Sequence, residues 1–489
     1  MRTYISFDIG TTSLKTALVS SDGKLLAQHT EEYTPASPRP GWLEMEGHAY
    51  WLAAVAGTRA VMTKAGVSAG EVVSIGLSSQ GQTYIPIDRE GRELYPAIVW
   101  IDTRAQNIVD EWQADWLSRQ EFLELTGYST MSAQLTVFKL EWMRRNVPRA
   151  HDAWMFLCLP DYIAWRLTGV VATDPQTAHG TGMFDVRNQC WSKKMLAAAG
   201  IVEEQLPVVG QPGTILGRVL EGPAAEIGLL PGTPICFGAN DQFAGALGVG
   251  NILPGMVSET TGTALAVVTT TDRLIADSRV CSGVHAAPGV LYFVLSFTNT
   301  SAIVLKWFRD MVAPGVGYDE FLAGVEDIPP GSGGLTVLPH FAGTGTPDFN
   351  SAAKGAILGL TLGHTPKHIA RAIMESCACM LVDCLEPVRD LGVETNCVRS
   401  LGGAAASDAW LQMKADMLGL PVERPACSEA ASLGAAMMAA VGVGDYASIP
   451  EVSSAWYHTL KVFEPNGQLF DAYAEVHAKY RDAFRRVYD

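Results

Sequence analysis

Four short stretches of this sequence carry residue types suited to holding phosphate and moving a proton. Asp8-Ile9-Gly10-Thr11-Thr12-Ser13 follows an apolar run, Tyr4 to Phe7. Glycine permits close backbone approach, successive N–H groups form an anion nest, and threonine hydroxyls add donors. An aspartate at a strand end beside such a nest suits a Mg²⁺ ion carried by phosphates. The same residues also make an ordinary β-hairpin turn. Gly262-Thr263, within Thr260 to Thr263, repeats the pattern later in the chain. Two such hairpins facing one another would clamp a triphosphate. Leu401-Gly402-Gly403-Ala404-Ala405-Ala406-Ser407 is a small-residue turn. Its glycines would let the flat face of a base lie on the backbone at a helix N-terminus, or they serve tight helix–strand packing. Asp241 ends an apolar segment that begins at Pro234 and precedes a Gly/Ala-rich run, Gln242 to Gly248. A carboxylate so placed at a domain boundary suits general-base work; helix capping by Asn240 or Asp241 is the alternative.

Other chemistries lack their residues. There is no G-x-G-x-x-G, no G-K-[ST] loop ending and no G-x-S-x-G elbow. Cys377, Cys379 and Cys384, with His364 and His368 upstream, match no zinc spacing, and Ala372 to Leu385 is predicted as a buried helix. His179, between Thr177 and Thr181, is expected in a Gly/Thr loop rather than in catalysis.

The elements that must position these groups are readable in outline. Tyr4–Phe7, Leu14–Val19 and Leu25–Tyr33 predict an antiparallel meander. Trp51, Val55, Thr58 and Met62 share one helix face. Val72 to Leu77 predicts a buried strand ending in the polar cluster Ser78 to Thr83, and Ala97 to Ile101 a second strand ending near Asp102 and Arg104. From about 107 to 168 the pattern is mostly helical. Gly255 to Val268 resembles the chain start, strand–turn–strand, and Cys397 to Leu401 and Trp410 to Leu418 predict a strand and a helix. The repeated meander suggests an internal duplication, with units at 1–245 and 246–489.

Composition bounds the rest. The 489 residues are 48% hydrophobic and only 18% charged, which excludes a disordered chain. The net charge of −16, with no run of four Lys or Arg, argues against a nucleic-acid partner and against an anionic membrane surface. No apolar run reaches the ~18 residues of a membrane span. Asp8 interrupts the first apolar segment and there is no signal-peptide pattern, so the expected location is cytoplasmic. Nine cysteines, an odd number, argue against a disulfide framework.

Taken together, FDIGTTSLK (Phe7 to Lys15), WIDTRA (Trp100 to Ala105), LPDYIAWRLTG (Leu159 to Gly169), GANDQFAGALGVG (Gly238 to Gly250), TTGTA (Thr260 to Ala264), TPDFNSAAKGAILGL (Thr346 to Leu360), LGGAAASDAW (Leu401 to Trp410) and SLGAAMMA (Ser432 to Ala439) stand in an order that resembles the FGGY carbohydrate kinases, most of all their xylulokinase branch. The resemblance spans about residues 3 to 480. It implies an α/β fold of two actin-like (ribonuclease H-like) domains, mixed sheets flanked by helices around a central cleft, the sugar against the first and ATP against the second. It implies Asp241 as the base that takes the sugar hydroxyl's proton, and Asp8 with Asp241 beside Mg²⁺. Thr11, Thr12 and Lys15 match the first phosphate loop, Gly262 and Thr263 the second, and Gly403, Ala404 and Ser407 the adenine wall. Gly81, Gln82, Asp241 and Gln242 are the implied sugar contacts. The implied acceptor is a ketopentose such as D-xylulose, with another ketose or polyol (L-xylulose, ribulose, a pentitol, glycerol) as the alternative and a non-catalytic actin-like ATP-binding protein as the other class. Dimers are frequent among relatives, so a homodimer is a further expectation. Two departures bear on the acceptor. Xylulokinases typically carry Met-His, and glycerol kinases Arg-Glu, where this chain has Gly81-Gln82. The usual GERTP run is GTGTP here, Gly343 to Pro347.

Overall fold

The computed structural model describes residues 1–115, 118–287, 289 and 291–488. Among them, two seven-stranded mixed sheets dominate. In the first, strands Thr3–Ile9, Ser13–Ser20 and Leu25–Glu32 form the antiparallel meander, and Val72–Ser79 pairs parallel to the first of them. Pro234–Cys236 and Ala239–Asn240 pair parallel to Val72–Ser79, and Ile215–Arg218 closes the far edge antiparallel. The second sheet repeats this order in six strands and adds Cys281–Val284 at the edge, antiparallel to Tyr292–Thr298. Met256–Thr261, Leu265–Thr271 and Tyr292–Thr298 make the meander, Cys397–Leu401 and Val422–Pro425 add parallel strands, and Thr459–Phe463 closes the edge antiparallel. The duplication read from the two Gly/Thr hairpins therefore extends over both sheets.

Thr3–Ile9 is buried along nearly its whole length because helices cover both faces of its sheet. Helix Gly47–Ala65 lies on strands 13–20 and 25–32, and helix Ala430–Gly442 lies on strands 3–9 and 72–79. The second helix comes from the half of the chain that builds the other sheet. Its sequence, AASLGAAMMAAVG, is small and apolar on every face and is buried on every face. It meets helix Asp241–Gly248 at backbone contact: a Cβ on Gly434 would lie 1.9 Å from the Ala244 carbonyl oxygen, and one on Gly248 1.9 Å from that of Ala430. A core of Tyr4, Phe243, Leu247, Val268, Phe293, Leu433 and Met437 thus joins both sheets. Phe243 and Phe293 rings stand 3.9 Å apart across it.

Several sequence expectations change. The strand predicted to end at Leu77 continues through Ser78 and Ser79. The helical stretch 107–168 is interrupted by strand Met155–Cys158. Ala97–Ile98 is a strand of two residues only. The unit boundary at 245/246 falls inside helix Asp241–Gly248. The cysteines at 377, 379 and 384 do lie buried in one helix, Pro366–Asp390, as predicted. Among the described residues no helix is long and apolar enough to cross a membrane.

Candidate active site

Strand register decides which side chains meet. Asp8 and Ala239 are both partners of Ser78, and Ile9 and Asn240 are both partners of Ser79. Asp8 and Asp241 therefore leave the C-terminal edge of the same sheet, where α/β proteins place their ligands. Ser78 Oγ donates to Asp8 Oδ1 at 2.9 Å. Asp241 opens the 241–248 helix, and Gln242 N–H donates to Asp241 Oδ1 at 2.7 Å and to Asn240 Oδ1 at 3.1 Å. Asn240 supplies a cap for the helix, so Asp241 is not needed for that purpose alone. Burial, and then the charge of Asp8, push the Asp241 carboxyl up to about 7. Burial raises Asp8 as well; the Ser78 bond and Lys15 oppose this, and Glu429 adds to it. Two carboxylates that resist ionising side by side, open to one cleft, are hard oxygen donors fitted to a divalent cation.

The Gly10–Thr12 turn is held from outside. Gly10 O accepts from Tyr33 Oη at 2.6 Å and from Gln80 Nε2 at 2.8 Å, and Trp100 Nε1 donates to Thr11 Oγ1 at 2.9 Å. Thr12 is exposed and Thr11 half-buried, so the turn's tip is open to solvent. Lys15 stands opposite Asp8 in the hairpin and reaches Glu429 Oε2 at 3.0 Å. The Trp100 strap has its own support. Lys139, fully buried, donates to the Val99 and Trp100 carbonyls at 3.3 and 3.1 Å, and burial pulls its ammonium down to about 7.

Gly81 and Gln82 lie in the turn after Val72–Ser79. A Cβ on Gly81 would sit 2.8 Å from Asn240 Nδ2, so glycine lets this turn close against the residue preceding Asp241. Gln82 holds φ of +64°, a left-handed conformation that costs a glutamine on the order of 1 kcal/mol. Its backbone oxygen accepts from Thr136 Oγ1 at 3.0 Å. Tyr128 stacks on His179 at 4.6 Å. His179 is not in a loop: it belongs to the short helix Pro175–Gly180 and bonds the Thr126 carbonyl oxygen through Nε2 at 2.9 Å. Burial holds its imidazole down at about 4, neutral in the working range.

The second sheet builds a matching edge. Gly262 and Thr263 turn between strands 256–261 and 265–271, with Ser301 N–H donating to Thr263 O at 2.8 Å. Thr260 and Leu401 are register partners, so the Gly402–Ser407 turn leaves the sheet beside Gly262. A Cβ on either Gly262 or Gly403 would meet nothing within 4 Å, which leaves open space above the backbone for a ligand. Ala404 is buried and offers backbone only, while Ser407 Oγ caps helix Asp408–Leu418 by accepting from Trp410 N–H at 3.3 Å. Behind this edge, Lys414 and Glu259, both fully buried, pair with one another and with Thr261 Oγ1. These open glycines and hydroxyl-bearing turns fit the phosphates and base of a nucleotide.

Trp100, Tyr128, Lys139, Glu259, Lys414 and Glu429 were not singled out from the sequence. Most of their partners are distant in the chain, and only Trp100 lies in a recognisable motif, WIDTRA. Two other features lie apart from the site. A depression of about 920 Å³ lined by Asp88, Arg92, Glu93, His151 and Trp154 includes none of the residues above. Asp383, Glu386 and His477 approach metal-ligand spacing, but Arg481 already supplies Asp383 with a cation at 3.3 Å.

The model of the FGGY carbohydrate kinase N-terminal domain matches residues 3–248, and that of the C-terminal domain matches residues 256–443. A glycerol kinase of Nitratidesulfovibrio vulgaris (Miyazaki F) is 32% identical over 94% of both chains. The xylulose kinase of Bacillus subtilis is 28% identical, covering 99% of this chain and 98% of its own. The crystal structure of xylulose kinase from Rhodospirillum rubrum superposes with a TM-score of 0.91 at 28% identity, over 99% of both chains.

Proposed function

Because the chain belongs to the FGGY family of carbohydrate kinases, we propose that Asp241 is the general base of its phosphoryl transfer and that the acceptor is an uncharged ketose or polyol, a ketopentose such as D-xylulose first. The family makes it an ATP-dependent kinase of a sugar or polyol. The observation that carries the finer reading is the placement of Asp241: half-buried at the edge it shares with Asp8, and raised to about 7. A carboxylate there both takes up and releases a proton near neutral pH.

In this reading the sugar hydroxyl gives its proton to Asp241 as its oxygen attacks the γ-phosphorus. The bond from that phosphorus to the bridging oxygen breaks, and ADP leaves with the electron pair. Little covalent help is needed; the protein supplies position and charge. Thr11, Thr12 and Lys15 hold the phosphates from one side, Gly262 and Thr263 from the other, and the Gly403–Ala404 backbone lies under the base. Bound magnesium would offset charge on the phosphate oxygens, and Asp8 and Asp241 are the residues that would hold it. Gln82 and Gln242 donate and accept without charge, which suits hydroxyl groups. Their amides support a ketose or polyol over an anionic acceptor.

Glycerol is the second reading, favoured by the 32% identity to a glycerol kinase. A panel of ketopentoses, pentitols and glycerol with ATP separates the two, with ADP release followed by ³¹P NMR of the ester. Turnover on a ketopentose at least ~10-fold above glycerol supports the first reading, and the reverse order replaces it with the second. No turnover on any member contradicts both.

A further inference from the structure

Glu429 immediately precedes helix Ala430–Gly442, the helix that crosses from the second half of the chain onto the first sheet. That helix is packed at backbone contact against helix 241–248, so the position of Glu429 is fixed relative to Asp241. Lys15 is the direct cross-strand partner of Asp8, and both side chains leave the same face of the hairpin. Lys15 therefore has two carboxylates within Coulomb reach, Asp8 and Glu429. It bonds to Glu429 at 3.0 Å, while Asp8 accepts from the neutral Ser78 hydroxyl.

We propose that Glu429 is a positioning residue that draws Lys15 away from Asp8 and so keeps the Asp8 carboxylate open to a divalent cation. The inference rests on reading Asp8 as a cation-side carboxylate of the kinase site. Without the charge at 429, Asp8, directly across the hairpin, remains an anion within Coulomb reach of the Lys15 ammonium, and a flexible four-carbon stem lets the ammonium turn to it. A lysine seated there competes with a metal ion for the same oxygens. The pair with Glu429 is partly exposed, 39% and 20% for the two side chains, so it is weak enough to open when a phosphate offers Lys15 a better partner.

The test uses Mn²⁺ as probe, titrated into the full-length protein without nucleotide, so that no phosphate engages Lys15, and followed by electron paramagnetic resonance of the free ion. Glu429→Gln keeps the shape and removes the charge. It is expected to weaken Mn²⁺ binding ~10-fold in the parent, and by less than ~2-fold in a Lys15→Met background, where the competitor is gone. Equal weakening in both backgrounds, or none in the parent, overturns the proposal. Asp8→Asn serves as the reference. If it weakens Mn²⁺ binding and Glu429→Gln does not, the role of Glu429 alone fails; if it leaves Mn²⁺ binding unchanged, the reading of Asp8 fails and takes the proposal with it.

Discussion

Asp241, the proposed base, is held in a setting that costs stability when it is ionised. Its carboxyl sits near 7 in the folded protein against an ordinary value of 3.8, chiefly through burial. Between those two values the folded state keeps a proton that the unfolded chain has released. Stability contributed by the protonated group is thus full below the lower value and lost as pH rises through the upper one. Two outcomes are expected. Asp241→Asn turns over at least ~10²-fold more slowly, the low end for removing a general base, yet melts no lower than the parent at about pH 8. A variant that is both slow and unstable would point to a structural role instead. For the parent, kcat/KM falls as pH drops through about 7, because the base becomes protonated, and this limb is read from a pH–rate profile. A profile flat from pH ~5 to ~8 would contradict the assignment.

At the level of elements, two close approaches set the geometry. Helix Ala430–Gly442 fits only because Gly434 and Gly248 present no side chain to the facing carbonyls. Gly434→Val drives atoms into the Ala244 backbone and is expected to cost about 3 kcal/mol, the upper range for overpacking, as measured by urea denaturation. Gly403 is the opposite case, since its surroundings are open. Gly403→Leu is therefore expected to leave the melting temperature within about 2 °C of the parent and to raise the KM for ATP ~10-fold or more with kcat less affected. An unchanged KM for ATP would remove the nucleotide from that turn. The two Gly/Thr hairpins, proposed to hold phosphate, were legible in the sequence because each is local, its glycine and threonines lying within a few residues of the strands they join. Gln82 was legible as a candidate contact but not in its left-handed conformation, which the surrounding turn imposes.

Across the whole molecule, the duplicated strand order could be anticipated from two short meanders, since each repeats the same local pattern. The long-range bonds, between the halves or within one, could not. Lys15 and Glu429 are 414 residues apart, and Lys414 and Glu259 155 apart. Nothing in either segment names its partner. The Ala-rich stretch Ser432 to Ala439 lies in helix Ala430–Gly442, which crosses between the halves with Glu429 immediately before it, a placement that nothing in the stretch announces. A −16 chain that binds a nucleotide must concentrate backbone donors and a few cations where the phosphates would lie, and the two sheet edges are the proposed place for them. Transfer of the γ-phosphate of ATP to a sugar or polyol hydroxyl at the edge bearing Asp8 and Asp241, as proposed, is tested most directly by ADP release from parent and Asp241→Asn, each with and without the acceptor panel. Acceptor-dependent ADP release that yields a phosphate ester is expected in the parent, falling at least ~10²-fold in the variant. Near-parental turnover by Asp241→Asn, or ADP release that no acceptor raises, would contradict it.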